Sequence, residues 1–126
     1  EKYWDKLSSK TLDLDGKWLM AGRMTDNVER RRDISKPRKT MKILKNGYFQ
    51  WIAFNTETFQ FFGTGGGFYT AENEIYTENI QFFSRNNKSV GRVLPFQYSI
   101  KNYDWHHQGI NSKGDPMYEI WTSRKR

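Results

Sequence analysis

From residue 16 onward, apolar and polar residues alternate with a period of two, and no stretch shows sustained helical spacing. The alternation predicts strands near 17–24, 38–45, 48–54, 59–70, 75–84, 90–101, 105–110 and 117–123, with the fourth interrupted at its glycines. Asn46-Gly47 separates the second from the third and is the strongest hairpin signal present, because a type I′ turn needs two residues of positive φ. Arg85-Asn86-Asn87-Lys88, Asn102-Tyr103-Asp104 and the run from Asn111 to Pro116 read as further turns. A basic, polar connection from the end of the first strand through Pro37 is the longest, and long connections tend to be lids or binding loops. No segment supplies the crossover helix that parallel strands require.

About eight short strands with hairpin-length turns predict an all-β fold: an antiparallel up-and-down barrel, since closure removes exposed sheet edges. Tyr3-Trp4-Asp5-Lys6-Leu7 suggests a short N-terminal helical turn plugging one end, within a lead-in over 1–13. At 126 residues the chain forms one domain, 1–126.

Strand parity then assigns faces. With Trp18 inward, Met20, Gly22 and Met24 follow; Met41 and Ile43 face in on the second strand, and Phe49, Trp51 and Ala53 on the third. Tyr76, Glu78, Ile80 and Phe82 face in on the fifth, Leu94, Phe96, Tyr98 and Ile100 on the sixth, Trp105 and His107 on the seventh. The last strand offers Tyr118, Ile120, Thr122 and Arg124. A bulge in any strand reverses what comes after it.

Composition sharpens this picture. Aromatic residues make up 17% of the chain, and each one buried contributes about 4–6 kcal/mol of gross burial free energy. There is no cysteine, which excludes disulfides and thiolate metal sites. No apolar run is long enough to span a bilayer as a helix. The chain opens on Glu1 rather than Met, as expected of a trimmed chain or one from which a leader was removed. Net charge is +7, concentrated at Arg30, Arg31, Arg32, Lys36, Arg38 and Lys39 and at the C-terminal Arg124, Lys125 and Arg126. A solvated face is the simpler reading of these charges, and no nucleic-acid partner is expected.

Gly16-Lys17-Trp18 matches the Gly-X-Trp signature of the calycins, and Arg124 resembles the arginine that packs over that tryptophan in lipocalins. Three longer runs, Gly63–Thr70, Tyr76–Phe83 and Trp105-His106-His107, resemble an uncharacterised lipocalin-like family of membrane-associated or secreted proteins from Bacteroidetes-type bacteria. The resemblance covers nearly the whole chain from Leu14 and implies a lipocalin-like barrel in an exported compartment: periplasmic, outer-membrane-associated or secreted. It brings no established ligand or activity. The missing disulfide, short chain and basic first loop depart from ordinary lipocalins and argue against a spacious lipid pocket.

Candidate chemistry is recognition rather than catalysis. Phe49, Trp51, Tyr98, Trp105 and Tyr118 offer aromatic surface to a small, partly apolar ligand, with Glu78 and His107 placed to hold its polar end and Tyr76 as a further ligand-binding candidate. An inward Glu78 needs a partner, protonation, a rim position or a ligand. Gly16, Trp18 and Arg124 form the structural signature. No nucleophile–base–orienter pattern is present, so no enzyme and no cofactor are expected. Adjacent His106 and His107 point to opposite faces and cannot readily share a metal; His107 alone offers haem ligation as a further alternative. The glycine run over 63–67 lacks the Lys-Ser/Thr and helix of a phosphate loop and reads as a barrel corner. The other alternative is a scaffold that holds a protein or anionic surface through 30–39. Oligomeric state is left open.

Overall fold

The computed structural model describes residues 14–85 and 87–124. Nine strands form one sheet: β1 (Gly16–Thr25), β2 (Val28–Arg31), β3 (Arg38–Lys45), β4 (Tyr48–Asn55), β5 (Phe61–Glu72), β6 (Ile75–Phe83), β7 (Val93–Lys101), β8 (Asp104–Ile110) and β9 (Pro116–Ser123). Each of β3 to β9 pairs antiparallel with the next, and β1 pairs with both β3 and β9 to close an eight-stranded barrel. β2 is a ninth strand, paired to the far end of β1. The expected helical turn at Tyr3–Leu7 lies outside the described residues. Among the described residues the one helical segment is a 3₁₀ turn, Asn87–Ser89.

Tight turns build the meander. Asp26-Asn27, Asn46-Gly47, Asn73-Glu74 and Asn102-Tyr103 each place two successive residues at positive φ, between 52° and 84°. This is the mirror-image turn that matches the twist of the flanking strands. The Asp26-Asn27 turn also corrects the expectation of a long basic loop: the chain reverses there and β2 runs back along β1 from Thr25↔Val28 to Gly22↔Arg31. Only 32–37 then link β2 to β3.

The glycines of β5 do not interrupt the strand. At Gly66 and Gly67 the register slips by one residue against β6, and a Cβ on Gly67 would lie 2.0 Å from the Asn79 carbonyl oxygen. Backbone approaches backbone here too closely for any side chain, so the run marks a bulged corner of the barrel, as expected.

The interior is aromatic. Trp105 is fully buried, its ring 5.6 Å from that of Trp18, 5.0 Å from Tyr76 and 6.1 Å from Trp121. Phe49, Leu94 and Phe96 fill the wall around them. The edge-on pairs of Trp105 with Trp18 and Tyr76 each add about 0.5–1.5 kcal/mol beyond area burial.

Closure occurs at Trp18↔Ser123, Leu19↔Thr122 and Met20↔Trp121. That register corrects two expectations. Ser123, not Arg124, lies opposite Trp18, so Arg124 is displaced to the outer side, where it is exposed and its backbone N–H donates to the Lys17 carbonyl. The Trp18 indole N–H donates instead to the Leu14 carbonyl, and the cation over the interior tryptophans is Lys42. The whole last strand is also of opposite parity: Met117, Glu119 and Trp121 face the lumen, while Tyr118, Ile120 and Thr122 face outward.

Candidate binding cavity

β3 positions the central group of the interior. Lys42 pairs across the sheet with Trp18 on one side and Trp51 on the other, both lumen-facing, and so must itself face the lumen. It is 5% exposed. Leu44 and Thr40 share its face, whereas Met41 and Ile43, expected inward, are half-buried on the outer one.

A charge this deep requires partners, and Lys42 has several. Its Nζ lies 3.2 Å from Glu78 Oε2 and over three rings, 4.7 Å from the centroid of Trp121, 4.9 Å from Trp105 and 5.6 Å from Tyr76. The Tyr76 hydroxyl donates to the same Glu78 oxygen at 2.7 Å. One carboxylate thus accepts from a cation and a phenol while the rings surround the cation, which offsets the cost of burying both charges. Glu78 is inward and paired, one of the outcomes its position left open, and its partner is Lys42.

The titration of the neighbouring groups follows from this centre. Burial, reinforced by the Glu78 carboxylate, raises the Tyr76 phenol well above its ordinary value. Burial and then the Lys42 charge hold His107 well below the usual imidazole range, so it is neutral. Glu119 stands opposite Arg23 on β1 and His107 on β8. Its carboxyl is pushed up by burial, against the pull of Lys42, of the Trp121 indole N–H donated at 3.1 Å, and of Arg23.

Two buried groups, His107 Nδ1 and Trp105 Nε1, have no hydrogen-bond partner among the described residues. Native interiors satisfy most such groups, so these two need an explanation.

A cavity of about 310 Å³ opens above this centre. Phe49, Trp51, Phe83, Leu94 and Phe96 supply its apolar wall; Lys42, Glu78, His107 and Glu119 supply its polar groups. The exposed Arg23 and Arg32 line it where it meets solvent.

Of the expected ligand-contacting residues, Phe49, Trp51, Glu78 and His107 line the cavity. Tyr76 and Trp105 lie fully buried behind it, within contact of Lys42, and Tyr98 is half-buried against the core. Tyr118 is not part of it: on the outer face, its hydroxyl is 3.0 Å from His106 Nδ1. His106 and His107 do point to opposite faces.

Lys42, Glu119 and Trp121 were absent from the expected set. The Asn46-Gly47 turn signals the first: a two-residue loop pairs Lys45 with Tyr48, and therefore Lys42 with Trp51. Nothing comparable marks β9, whose parity is set by closure onto β1.

Residues 13–125 match the model of a family described as "Domain of unknown function (DUF4488)". The barrel is similar to the crystal structure of a lipocalin-like protein from Bacteroides uniformis ATCC 8492, at a TM-score of 0.59 and 14% identity, over 90% of this chain and 100% of that one. No curated protein matches the chain. Identity at that level carries the fold alone, and the fold is the lipocalin-like barrel that the Gly-X-Trp and longer runs implied.

Proposed function

The chain belongs to the DUF4488 family, whose description assigns no activity, and we propose that it binds a small, partly apolar molecule inside its barrel without acting on it chemically. The observation that carries this is the cavity of about 310 Å³, whose aromatic wall meets a cluster of buried polar groups containing a His107 nitrogen with no partner among the described residues. Apolar walls with a few convergent polar groups are the usual build of small-molecule sites, and this volume is near the low end of their range of about 300–1,000 Å³. A compact occupant fits; a large one does not. Haem is disfavoured by the same packing, because the His107 ring lies against Phe96 at 4.2 Å and Trp105 at 5.2 Å. Lipocalin-like barrels are typically containers rather than catalysts, which supports a non-enzymatic role. The resemblance to exported bacterial proteins supports a periplasmic, outer-membrane-associated or secreted location.

Native mass spectrometry of protein purified from its source organism tests the binding role. The expected result is a small-molecule adduct that is lost on denaturation and on replacing Trp51 by Ala. A bare polypeptide mass, together with no response of cavity residues to a library of small apolar compounds, would refute it. Cell fractionation tests the location, with recovery in the cytoplasm as the contrary result.

A second reading has its own support. All four residues of β2 are exposed, and Arg30 and Arg32 stand on or beside it. Such a surface suits an acidic protein or an anionic membrane. Retention on anionic beads that falls with salt, and is lost when Arg30, Arg32 and Lys36 are neutralised, is the expected behaviour of that scaffold.

A further inference from the structure

We propose that the occupant of the cavity is a compact carboxylic acid with an apolar body, its carboxylate received between Lys42 and His107. This rests on the binding role proposed above and names the chemical class it serves.

Lys42 and His107 border the same two rings. Trp105 lies 4.9 Å from the Lys42 Nζ and 5.2 Å from the His107 ring, and Tyr76 lies 5.6 Å and 5.5 Å from the same two groups. Both residues line the cavity. An ammonium group has three N–H donors, of which Glu78 accepts one. The His107 Nδ1 is buried and has no partner among the described residues, and an imidazole in the Nδ1–H tautomer donates there. A carboxylate has two oxygens, one for each of these donors.

The charges lining the cavity point the same way. Three cations, Lys42, Arg23 and Arg32, face two carboxyl groups, Glu78 and Glu119. One oxygen of Glu78 already accepts from both Lys42 and Tyr76, and one oxygen of Glu119 accepts from Trp121. Burial further biases Glu119 toward its neutral form. The surplus is positive, and attraction for an anion strengthens as the cavity excludes water. Arg23 and Arg32, at the solvent boundary, would draw an acid inward. The apolar body would then lie against Phe49, Trp51, Phe83 and Phe96.

Three probes that share one ring system separate the possibilities: naphthoate, naphthamide and naphthylmethylammonium, followed by calorimetry and by amide NMR shifts of β3 and β8. Naphthoate is expected to bind at least about tenfold more tightly than the amide, the scale of a charge-assisted hydrogen bond. The ammonium should bind most weakly. In the Lys42→Met/Glu78→Gln double variant one positive and one negative charge are removed, so the net charge stays at +7, and the preference for naphthoate should fall severalfold, to what His107 and Arg23 supply. Arg23→Gln, at an exposed position, should reduce naphthoate affinity severalfold and leave the amide unchanged, a check that does not depend on the double variant folding.

Equal binding of the three probes, or preference for the ammonium, overturns the acid assignment while leaving the cavity as a binding site. A preference undiminished in the double variant overturns it as well, since it would reflect overall charge. Binding of none of the probes refutes this assignment, while the binding role itself is judged by the native mass and the compound library described above.

Discussion

Lys42 and Glu78 meet in the lumen with Nζ 3.2 Å from Oε2, although they stand on β3 and β6 with two strands between them in the sheet. The contact spans the interior rather than running along the wall. Removing one partner leaves the other charge buried and alone. Lys42→Met and Glu78→Gln are each expected to destabilise the protein by about 3–5 kcal/mol. The double variant should cost clearly less than the sum, with a coupling of about 1–3 kcal/mol in a urea-denaturation cycle. Additive losses would show that the two groups do not depend on each other.

His107 makes stability depend on pH. Its folded-state pKa lies well below 6.5. As pH falls beneath that value, the unfolded chain takes up a proton that the folded chain refuses. Stability therefore declines toward acid, by up to about 1.4 kcal/mol per pH unit. Glu119 acts in the opposite sense. Its folded pKa is raised above 4.5, so it costs stability as pH rises through that window and returns it on acidification. Urea midpoints measured from about pH 7.5 to about pH 5 should show a shallower acid loss in His107→Phe and a steeper one in Glu119→Gln.

Gly67 tolerates no side chain. A methyl group there would sit 2.0 Å from the Asn79 carbonyl oxygen, which is backbone and cannot rotate away. Gly67→Ala should cost at least about 2–3 kcal/mol, read from thermal or chemical denaturation.

Glu74 is the converse case. It holds a φ of 64° in the Asn73-Glu74 turn, a conformation that costs an L residue about 1 kcal/mol or more and costs glycine nothing sterically. Its carbonyl accepts from the Tyr98 N–H at 3.0 Å, a bond that does not need its side chain. Glu74→Gly should raise stability by about 0.5–1 kcal/mol after the added flexibility of the unfolded chain is counted.

Arg31 ties β2 to the barrel, contacting both Glu29 and Asp104 at 3.0 Å. The pairs are solvent-exposed, so Arg31→Ala should change global stability by less than about 1 kcal/mol. Local opening is the sensitive readout: amide exchange over 28–31 should accelerate while β4 to β6 stay protected.

How far the amino-acid pattern reached can be traced residue by residue. Seven of the eight barrel strands appeared as continuous runs, because each is bounded by Asn, Asp or Gly residues that tolerate positive φ; β5 was expected to break at glycines that instead form a bulge within it. The eighth-versus-ninth distinction failed at Asp26-Asn27, where the same turn chemistry was present but Val28 is the one apolar residue of the returning β2, too little to show alternation. Parity held for Phe49, Trp51, Tyr76, Glu78, Leu94, Phe96, Trp105 and His107, whose strands carry one apolar face without slippage up to those points. It failed beyond each bulge. The shift at Met20/Gly22 turns Arg23 rather than Gly22 toward the cavity, and the slip opposite Gly66/Gly67 puts Phe83 there rather than Phe82. On β3 the alternation of Met41 and Ile43 was misleading, because the strand buries a lysine and leaves those apolar side chains half-buried on its outer face. On β9 the resemblance implies Arg124 over Trp18, whereas the register Trp18↔Ser123 shifts every side chain by one.

β1 is bonded on one edge to β9 and on the other to β3 and β2 in turn. From β3 to β9 every strand meets its neighbour through a local reversal, so a nascent chain can assemble that curved trough hairpin by hairpin as it emerges. The seam between β1 and β9 must wait until synthesis has passed Ser123, and until then the lumen lies open along its full length. For the occupant proposed above, the widest entrance exists before the final strand zips shut, so under that proposal loading during biogenesis should be faster than exchange by the mature protein.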